Sequence, residues 1–282
     1  MISAVIPTYN RAEFIQKSIL SAKNQSIKVT EIIIVDDGST DQTREVADRF
    51  KNDRSIQFIF LNENRGAQAA RNAGIHAATS EWIAFLDSDD EWMPDRLENA
   101  LKVAERTNAG VIYSNYIQRF TEDGQEQELV MNPCICEGNV TDRILAKSFV
   151  SFPGLLVKRD LLSTIGYLDE SIVAWQEWET AIRLSLITDF AYVGIPAFYW
   201  NWHPGETISK SQVRDAVGVL QILVKHKGLF LQRNKKHLFV EHLKNALNKL
   251  PSINQIEIIA LRKQILNLIY RYECSDDTLL HS

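Results

Sequence analysis

Short apolar runs alternate with amphipathic stretches through the first 115 residues, the pattern of parallel strands joined by helices. The runs are Ser3–Pro7, Glu31–Val35, Ile56–Leu61 and Trp82–Leu86, with Gly110–Tyr113 a fifth. Helical periodicity fills the gaps at Ala12–Asn24, Thr40–Lys51, Gly66–Ala77 and Pro94–Thr107. Ser39 or Thr40 is placed to cap the second helix, and Pro94 sits where a first helical turn accepts proline. These elements predict an open α/β sheet. A Gly- and acid-rich stretch at Thr121–Glu128 reads as a loop or hairpin. Aromatic residues then crowd the chain around Trp175, Trp178, Trp200 and Trp202, and beyond 210 the pattern becomes wholly helical. There Phe239, Leu243, Leu247 and Leu250 recur at three to four residues, as do Ile258, Leu261, Ile265 and Leu268. The expected organisation is a domain over 1–210 followed by a helical region over 211–282.

Composition adds one contrast to this outline. The 282 residues are 45% hydrophobic and 24% charged, an ordinary globular balance, with a net charge of −5. That charge argues against a nucleic-acid-coating protein. Residues 1–210 carry 20 basic and 30 acidic side chains, whereas 211–282 carry 11 and 6, so an acidic body precedes a basic tail. Cys134, Cys136 and Cys274 form no disulfide framework, which suits a reducing compartment, and the C-x-C pair reads as ordinary thiols. With no signal-peptide pattern at the N-terminus and no apolar run of membrane-spanning length, the expected location is cytoplasmic, with the inner face of the membrane as the alternative.

In open α/β sheets ligands bind at the carboxyl ends of the strands. Pro7-Thr8-Tyr9-Asn10-Arg11 follows the first run, Asp36-Asp37-Gly38-Ser39-Thr40-Asp41 the second and Asp87-Ser88-Asp89-Asp90 the fourth. The last is the strongest signal. Three carboxylates within four residues repel one another and call for a compensating cation or hydrogen-bond donors. A divalent ion of the Mg²⁺ or Mn²⁺ type would serve, since such ions take one or two carboxylates and complete their shell with phosphate and water. An acidic start to the following helix is the competing reading. Nucleotide-binding chemistry is present at the other strand ends: Asp37 can accept from a base imide, Tyr9 can lie against a base, and Arg65 or Arg71 can reach phosphate. Neither G-x-G-x-x-G nor G-x-x-x-x-G-K-[ST] occurs, so a glycine-rich phosphate cradle is not the device.

The fragments AVIPTYNR (4–11), EIIIVDDGSTD (31–41), NRGAQAARNAGIHAATSEWIAFLDSDDEWMPDRL (64–97) and IGYLDESIVAWQEWETAIRL (165–184) together resemble the GT-A-fold family 2 inverting glycosyltransferases over roughly residues 1–210. The resemblance implies a GT-A mixed sheet flanked by helices, with the C-terminal helices as an appendage. It implies a nucleoside-diphosphate-sugar donor, a UDP-sugar first among them, and a glycan or lipid-linked hydroxyl acceptor. The nucleotide would meet Pro7, Thr8, Tyr9, Arg11, Asp37, Arg71, Asp87 and Ser88. Asp87 and Asp89 match the D-x-D element that holds Mn²⁺ or Mg²⁺, Asp90 matches an extra acid facing the sugar, and His203 lies where relatives bring a histidine to metal or diphosphate. For His203, packing beside Trp202 is the equal alternative.

Displacement at an anomeric carbon by a hydroxyl requires one base. In the family this is the acid of a Glu-Asp element ahead of an arginine, and in Gln176-Glu177-Trp178-Glu179 with Arg183 it aligns with Glu177. Gln176 replaces an acid and Glu177 is one methylene longer than Asp, leaving Glu179 as a competitor. Trp175 and Trp178 flank the base and offer aromatic faces to donor sugar or acceptor, with core packing as the alternative. Two rival functions stand beside the transferase: a nucleotidyltransferase, disfavoured for want of a Gly-rich basic loop after the first strand, and a catalytically silent nucleotide-sugar-binding or scaffold subunit. Between Ile222 and Val240 the tail carries Lys225, Lys227, Arg233, Lys235 and Lys236 with no acid. Either this run approaches anionic lipid, giving peripheral membrane contact, or it is a solvated face of helices that pack on the body or on a second subunit in a homodimer.

Overall fold

A computed structural model describes residues 1–122, 125–130, 135–202, 211–251 and 255–274. Four parallel strands open the chain: β1 (Ile2–Thr8), β2 (Glu31–Asp36), β3 (Ile56–Phe60) and β4 (Trp82–Phe85), in spatial order β3-β2-β1-β4. Every residue of β1 and β4 is buried, which is why both read as continuous apolar runs rather than as alternations. Helices α1 (Ile15–Lys23), α2 (Thr43–Asp48) and α3 (Ala67–Ala77) make the crossovers. The register sets Thr8 beside Asp36, and β4 runs parallel to β1, so the carboxyl ends of β1, β2 and β4 share one edge.

The sheet continues through elements that the sequence pattern resolved only in part. After β5 (Glu91–Trp92) and α4 (Arg96–Thr107) come β6 (Val111–Glu122), β7 (Gln125–Val130), α5 (Thr141–Ala146), β8 (Leu156–Lys158), α6 (Arg159–Thr164), α7 (Gln176–Ser185) and β9 (Phe190–Asn201). Beyond β4 the order is β8-β6-β9-β5, with β8 antiparallel to both its neighbours and β9 parallel to β6. The stretch expected to be a loop or hairpin is the β6–β7 hairpin, so the sheet is mixed and nine-stranded among the described residues.

Two details of the helix starts differ from expectation. Ser39 accepts from the Asn10 amide, and the first residue of α2 donates instead to Asp41 Oδ1 at 3.1 Å. Pro94 precedes the first residue of α4 by two, and its carbonyl accepts from the Ser26 amide at 2.7 Å.

The chain forms two compact units. The sheet and its helices lie in the first, residues 1–141, 149–170 and 180–204. The second contains 142–148, 171–179 and 205–282, so a division at one point near 210 gives way to one in which two earlier segments belong with the C-terminal helices. Those helices are α8 (Gln212–Gln232), α9 (Lys236–Lys249) and α10 (Ile256–Cys274). Phe239 meets Phe230 and Tyr272 edge-on at ring separations of 5.7 and 5.0 Å, and Leu243 and Ile265 are fully buried. Much of the basic run is engaged inside this unit: Arg233 and Lys235 pair with Asp142 at 3.3 and 3.2 Å, Lys225 with Glu179 at 2.7 Å, and Lys227 lies over the Tyr272 ring. No described helix is long and apolar enough to cross a membrane.

Close packing of α3 on the sheet fixes the edge that concerns us. A methyl at Gly74 would lie 2.5 Å from Val5 Cγ1 and 3.4 Å from Val35 Cγ2, so only glycine lets α3 approach β1 and β2 this closely. Gly74→Ala is expected to lose about 1–3 kcal/mol through overpacking, more than the ~1 kcal/mol of helix propensity it gains. A urea midpoint equal to or above that of the parent would show that the sheet has room to yield.

Candidate active site

The loops leaving β1 and β2 are locked together. The Asp37 amide donates to the Thr8 carbonyl at 2.9 Å. Asn10 takes a left-handed backbone (φ 50°), which asparagine tolerates, and its side-chain oxygen accepts from the Thr40 amide at 2.8 Å. Gly38 (φ 78°) must be glycine on two counts, because a methyl there would also come within 2.8 Å of the Glu63 backbone. Asp37 is buried, and its two carboxylate oxygens accept from the amides of Arg65 and Gly66 at 2.8 and 2.7 Å, tying the entry to α3. Burial pushes its pKa up; those two amide bonds pull against the rise, and neighbouring Asp36 adds to it.

Around this frame Pro7 is enclosed in β1, Tyr9 projects with 41% exposure, and Thr8 is buried with a hydroxyl that finds no hydrogen-bond partner. Gln68, in the first turn of α3, likewise buries an amide nitrogen without a partner, while its oxygen accepts from Arg71 at 3.0 Å. Of the two arginines expected near phosphate, Arg65 pairs at the surface with Glu170, 3.1 Å away. Arg71 is buried, lies over the Phe152 ring at 4.1 Å and donates to Asp87 Oδ1 at 2.6 Å.

The three acids after β4 have three distinct environments. Asp87 is half-buried against Arg71; burial raises its pKa, Arg71 opposes that, and Asp89 adds to it. Asp89, with 22% of its side chain exposed, has Arg11 Nε at 3.5 Å. Asp90 is 1% exposed, its Oδ1 accepting from the Asn201 amide at 3.1 Å and its Oδ2 unpartnered. Burial, then the charges of Asp89 and Asp87, push its pKa well above the ordinary carboxylate range. The carboxylate expected to face the sugar is thus turned into the protein. The main chain of the turn is held by residues that no motif singled out. The Ser18 hydroxyl lies 2.8 and 2.7 Å from the carbonyls of Ser88, itself buried, and Asp90, and Asn201 Nδ2 donates to the Asp89 carbonyl at 2.9 Å. A serine on the apolar face of α1, among Ile15, Ile19 and Ala22, was the one available signal for the first.

Among the described residues no three His, Cys, Asp or Glu side chains are gathered to hold a metal. Asp87 and Asp89 nevertheless fit a cation that arrives with phosphate, because both keep exposed carboxylate surface and are compensated by guanidinium groups that phosphate can claim. His203 lies outside the described residues.

In the helical unit, Glu177 stands half-buried in the first turn of α7, and the other residues around it separate by role. Glu179 is fully buried, with Lys225 Nζ at 2.7 Å and His226 Nε2 at 3.2 Å from its Oε1, and so is committed to an internal ionic contact. Trp178 is 3% exposed and donates to the Ile144 carbonyl at 2.6 Å, so it is core and not a sugar platform. Trp175 is half-buried, with its indole N–H bonded to Asp215 and Lys249 over its ring at 5.5 Å. Gln176, in place of the expected acid, is buried and donates to the Ile172 carbonyl at 2.9 Å. In the sheet unit Arg183 donates to the carbonyls of Ile165 and Tyr167, both at 2.6 Å.

The model of glycosyl transferase family 2 matches residues 3–166, more than half of the chain, and the chain belongs to that family. It is 38% identical over 117 residues to the putative teichuronic acid biosynthesis glycosyltransferase TuaG of Bacillus subtilis, covering 41% of this chain and 46% of TuaG. It is 39% identical over 116 residues to WfaP of Escherichia coli, named a UDP-Glc:alpha-D-GlcNAc-diphosphoundecaprenol beta-1,3-glucosyltransferase, covering 41% of this chain and 46% of WfaP. The match to an uncharacterized glycosyltransferase of Rickettsia bellii reaches 36% identity but covers 22% of that protein, so the chain spans about a quarter to a half of such curated relatives. The structure of S. aureus TarS 1–349 superposes with a TM-score of 0.72 at 19% identity, covering 96% of this chain and 80% of TarS 1–349, which establishes the GT-A fold.

The Asp37 contacts give a direct check on the site's frame. Because its pKa is raised, the folded protein binds its proton more tightly than the unfolded chain. The contribution of Asp37 to stability therefore falls as pH climbs from the ordinary carboxylate range through the raised value. Asp37→Asn is expected to remove that part of the pH slope, and to cost about 1–3 kcal/mol at neutral pH because an amide leaves one of the two backbone donors unsatisfied. Urea titrations at several pH values measure both; an unchanged midpoint and slope would contradict the bonding described.

Proposed function

We propose that the chain is a metal-dependent inverting glycosyltransferase that moves a sugar from a UDP-sugar to a hydroxyl acceptor in surface-polysaccharide or glycoconjugate assembly. The observation that carries this reading is the paired set of arginines and aspartates at the sheet edge, Arg11 with Asp89 and Arg71 with Asp87. Each pair satisfies itself in the absence of donor, and each offers opposite charges to the two halves of a metal diphosphate. The names of relatives point the same way: WfaP is named for a UDP-Glc donor, and a TarS structure was solved with UDP-GlcNAc.

In this reading Tyr9, Thr8 and the Pro7 backbone border the base, and the unpartnered Thr8 hydroxyl and Gln68 amide nitrogen are donors awaiting ligand oxygens. Arg11 and Arg71 turn from carboxylate to phosphate. Asp87 and Asp89, with His203, would hold Mn²⁺ or Mg²⁺, which when bound neutralises charge developing on the departing diphosphate. Glu177 takes the proton of the acceptor hydroxyl as its oxygen forms the new bond to the anomeric carbon. The bond from that carbon to the diphosphate oxygen breaks with inversion. Exposure favours Glu177 over Glu179 for this task, since Glu179 is sealed between Lys225 and His226. Gln176, which stands where the family has an acid, donates to the Ile172 carbonyl and so has a structural use of its own.

Two measurements test the proposal. Thermal shift with Mn²⁺ and a panel of nucleotide sugars is expected to single out UDP-sugars, with stabilisation growing with saturation, and Asp89→Ala to weaken UDP binding at least tenfold. Equal binding with and without metal would remove the metal from the scheme. Glu177→Gln is expected to lower turnover by about 10²-fold or more while UDP affinity stays within twofold; retained turnover would exclude Glu177 as the base.

A further inference from the structure

One face of α8 touches the segment 171–179 at four successive steps. Asp215, Gly218, Gln221 and the neighbours Lys225 and His226 recur at three- and four-residue intervals, which places them along one side of the helix. Asp215 Oδ1 accepts from the Trp175 indole N–H at 2.5 Å. A methyl at Gly218 would lie 2.5 Å from the Ala174 carbonyl oxygen, so the helix backbone lies directly against the segment there. Gln221 accepts from the Val173 amide at 3.1 Å and donates to the Ser171 carbonyl at 2.9 Å, taking the place of a backbone partner for an irregular stretch. Lys225 and His226 then close on the buried Glu179 carboxylate.

The segment needs such support. Trp175 holds a left-handed backbone, φ 60°, immediately before α7, a conformation that costs a bulky residue about 1–3 kcal/mol and persists only where the surroundings impose it. Glu177 follows two residues later, on the half-turn between Trp175 and Glu179, the two side chains that α8 grips.

We infer that this face of α8 positions Glu177 for proton transfer, with Gln221, Lys225 and Glu179 as positioning residues rather than catalytic ones. The inference rests on the reading of Glu177 as the base, and it gives the C-terminal helices a part in the reaction that requires neither lipid nor a second subunit. Small displacements of a general base cost rate steeply while leaving donor binding alone.

The experiment uses the full chain with Gln221→Ala, Lys225→Met, Lys225→Arg and Glu177→Gln, with Mn²⁺ present. It measures UDP affinity, UDP release from UDP-glucose and UDP-N-acetylglucosamine, and amide exchange of 171–179 without substrate. Gln221→Ala sits on a partly exposed side chain and is expected to fold. Expected are at least tenfold faster exchange over 171–179 and at least tenfold slower UDP release in Gln221→Ala and Lys225→Met. UDP affinity should stay within twofold, and Lys225→Arg should recover most of the rate because it keeps a charged donor for Glu179. Unchanged exchange overturns the inference, as does unchanged UDP release in both variants beside an inactive Glu177→Gln. Loss of UDP affinity in step with the rate also overturns it, by showing general damage in place of mispositioning. A Glu177→Gln enzyme of normal rate overturns the base assignment and the inference together, and that single variant tells the two failures apart.

Discussion

Like charge crowded at the end of one strand is the constraint from which most of the site follows. Asp87, Asp89 and Asp90 leave β4 within four residues, and no folded chain holds three adjacent carboxylates there without compensation. The structure meets this in three ways: a buried guanidinium for Asp87, a partly exposed one for Asp89, and for Asp90 burial, which pushes its pKa up. The first two leave charge that a ligand can exchange, whereas burial disfavours charge on the third. The exchangeable pairs are the ones the proposed metal diphosphate would engage, while the Asp90 carboxyl stays in its contact with the Asn201 amide.

That arrangement depends on parts distant in sequence. Arg71 reaches Asp87 because Gly74 allows α3 to settle on β1 and β2, and the turn's own carbonyls are held by Ser18 from α1 and Asn201 from the end of β9. The loops after β1 and β2 are joined through Asn10, Ser39 and Thr40, so Tyr9 and Asp37 are carried by one rigid frame. Rigidity matters because a transferase gains from electrostatic groups already in place when charge develops.

The parallel half of the sheet was legible because its central strands are buried on both faces and each strand is followed by a helix with its own periodicity. The residues that end those strands, Asp37, Asp87 and Asp89 among them, are therefore legible as neighbours on one sheet edge, which makes them candidates for a site. The other half was legible only in part, through the run at 110–113 and the hairpin after it, since β5 and β8 are two and three residues long and take their identity from partners more than 40 residues away. The orientations of Trp178 and Asp90 were not legible for a related reason. A motif fixes which residue type recurs but not which way a side chain turns, and here the carbonyl of Ile144 and the amide of Asn201 decide that. Family resemblance placed Glu177 ahead of Glu179, two residues apart on one helix, but which of the two is buried was not legible; Glu179 is the one enclosed beside Lys225 and His226.

The basic tail takes on a different meaning once its partners are known. A run of cations without an acid in sequence suggests a surface waiting for an anion, yet the acids that match Lys225, Arg233 and Lys235 arrive from Glu179 and Asp142, in segments that precede the tail by tens of residues. Exposed pairs of this kind contribute little stability, about 0–1 kcal/mol each, so the Arg233 and Lys235 contacts are better understood as fixing register than as holding the unit together. The pair at Glu179 differs because its carboxylate is out of water, and removing Lys225 would leave that charge undercompensated, with a cost several times larger. A buried ionic contact is a poor source of stability but a strict one of geometry. Its position two residues from Glu177 is where geometry has the most to contribute.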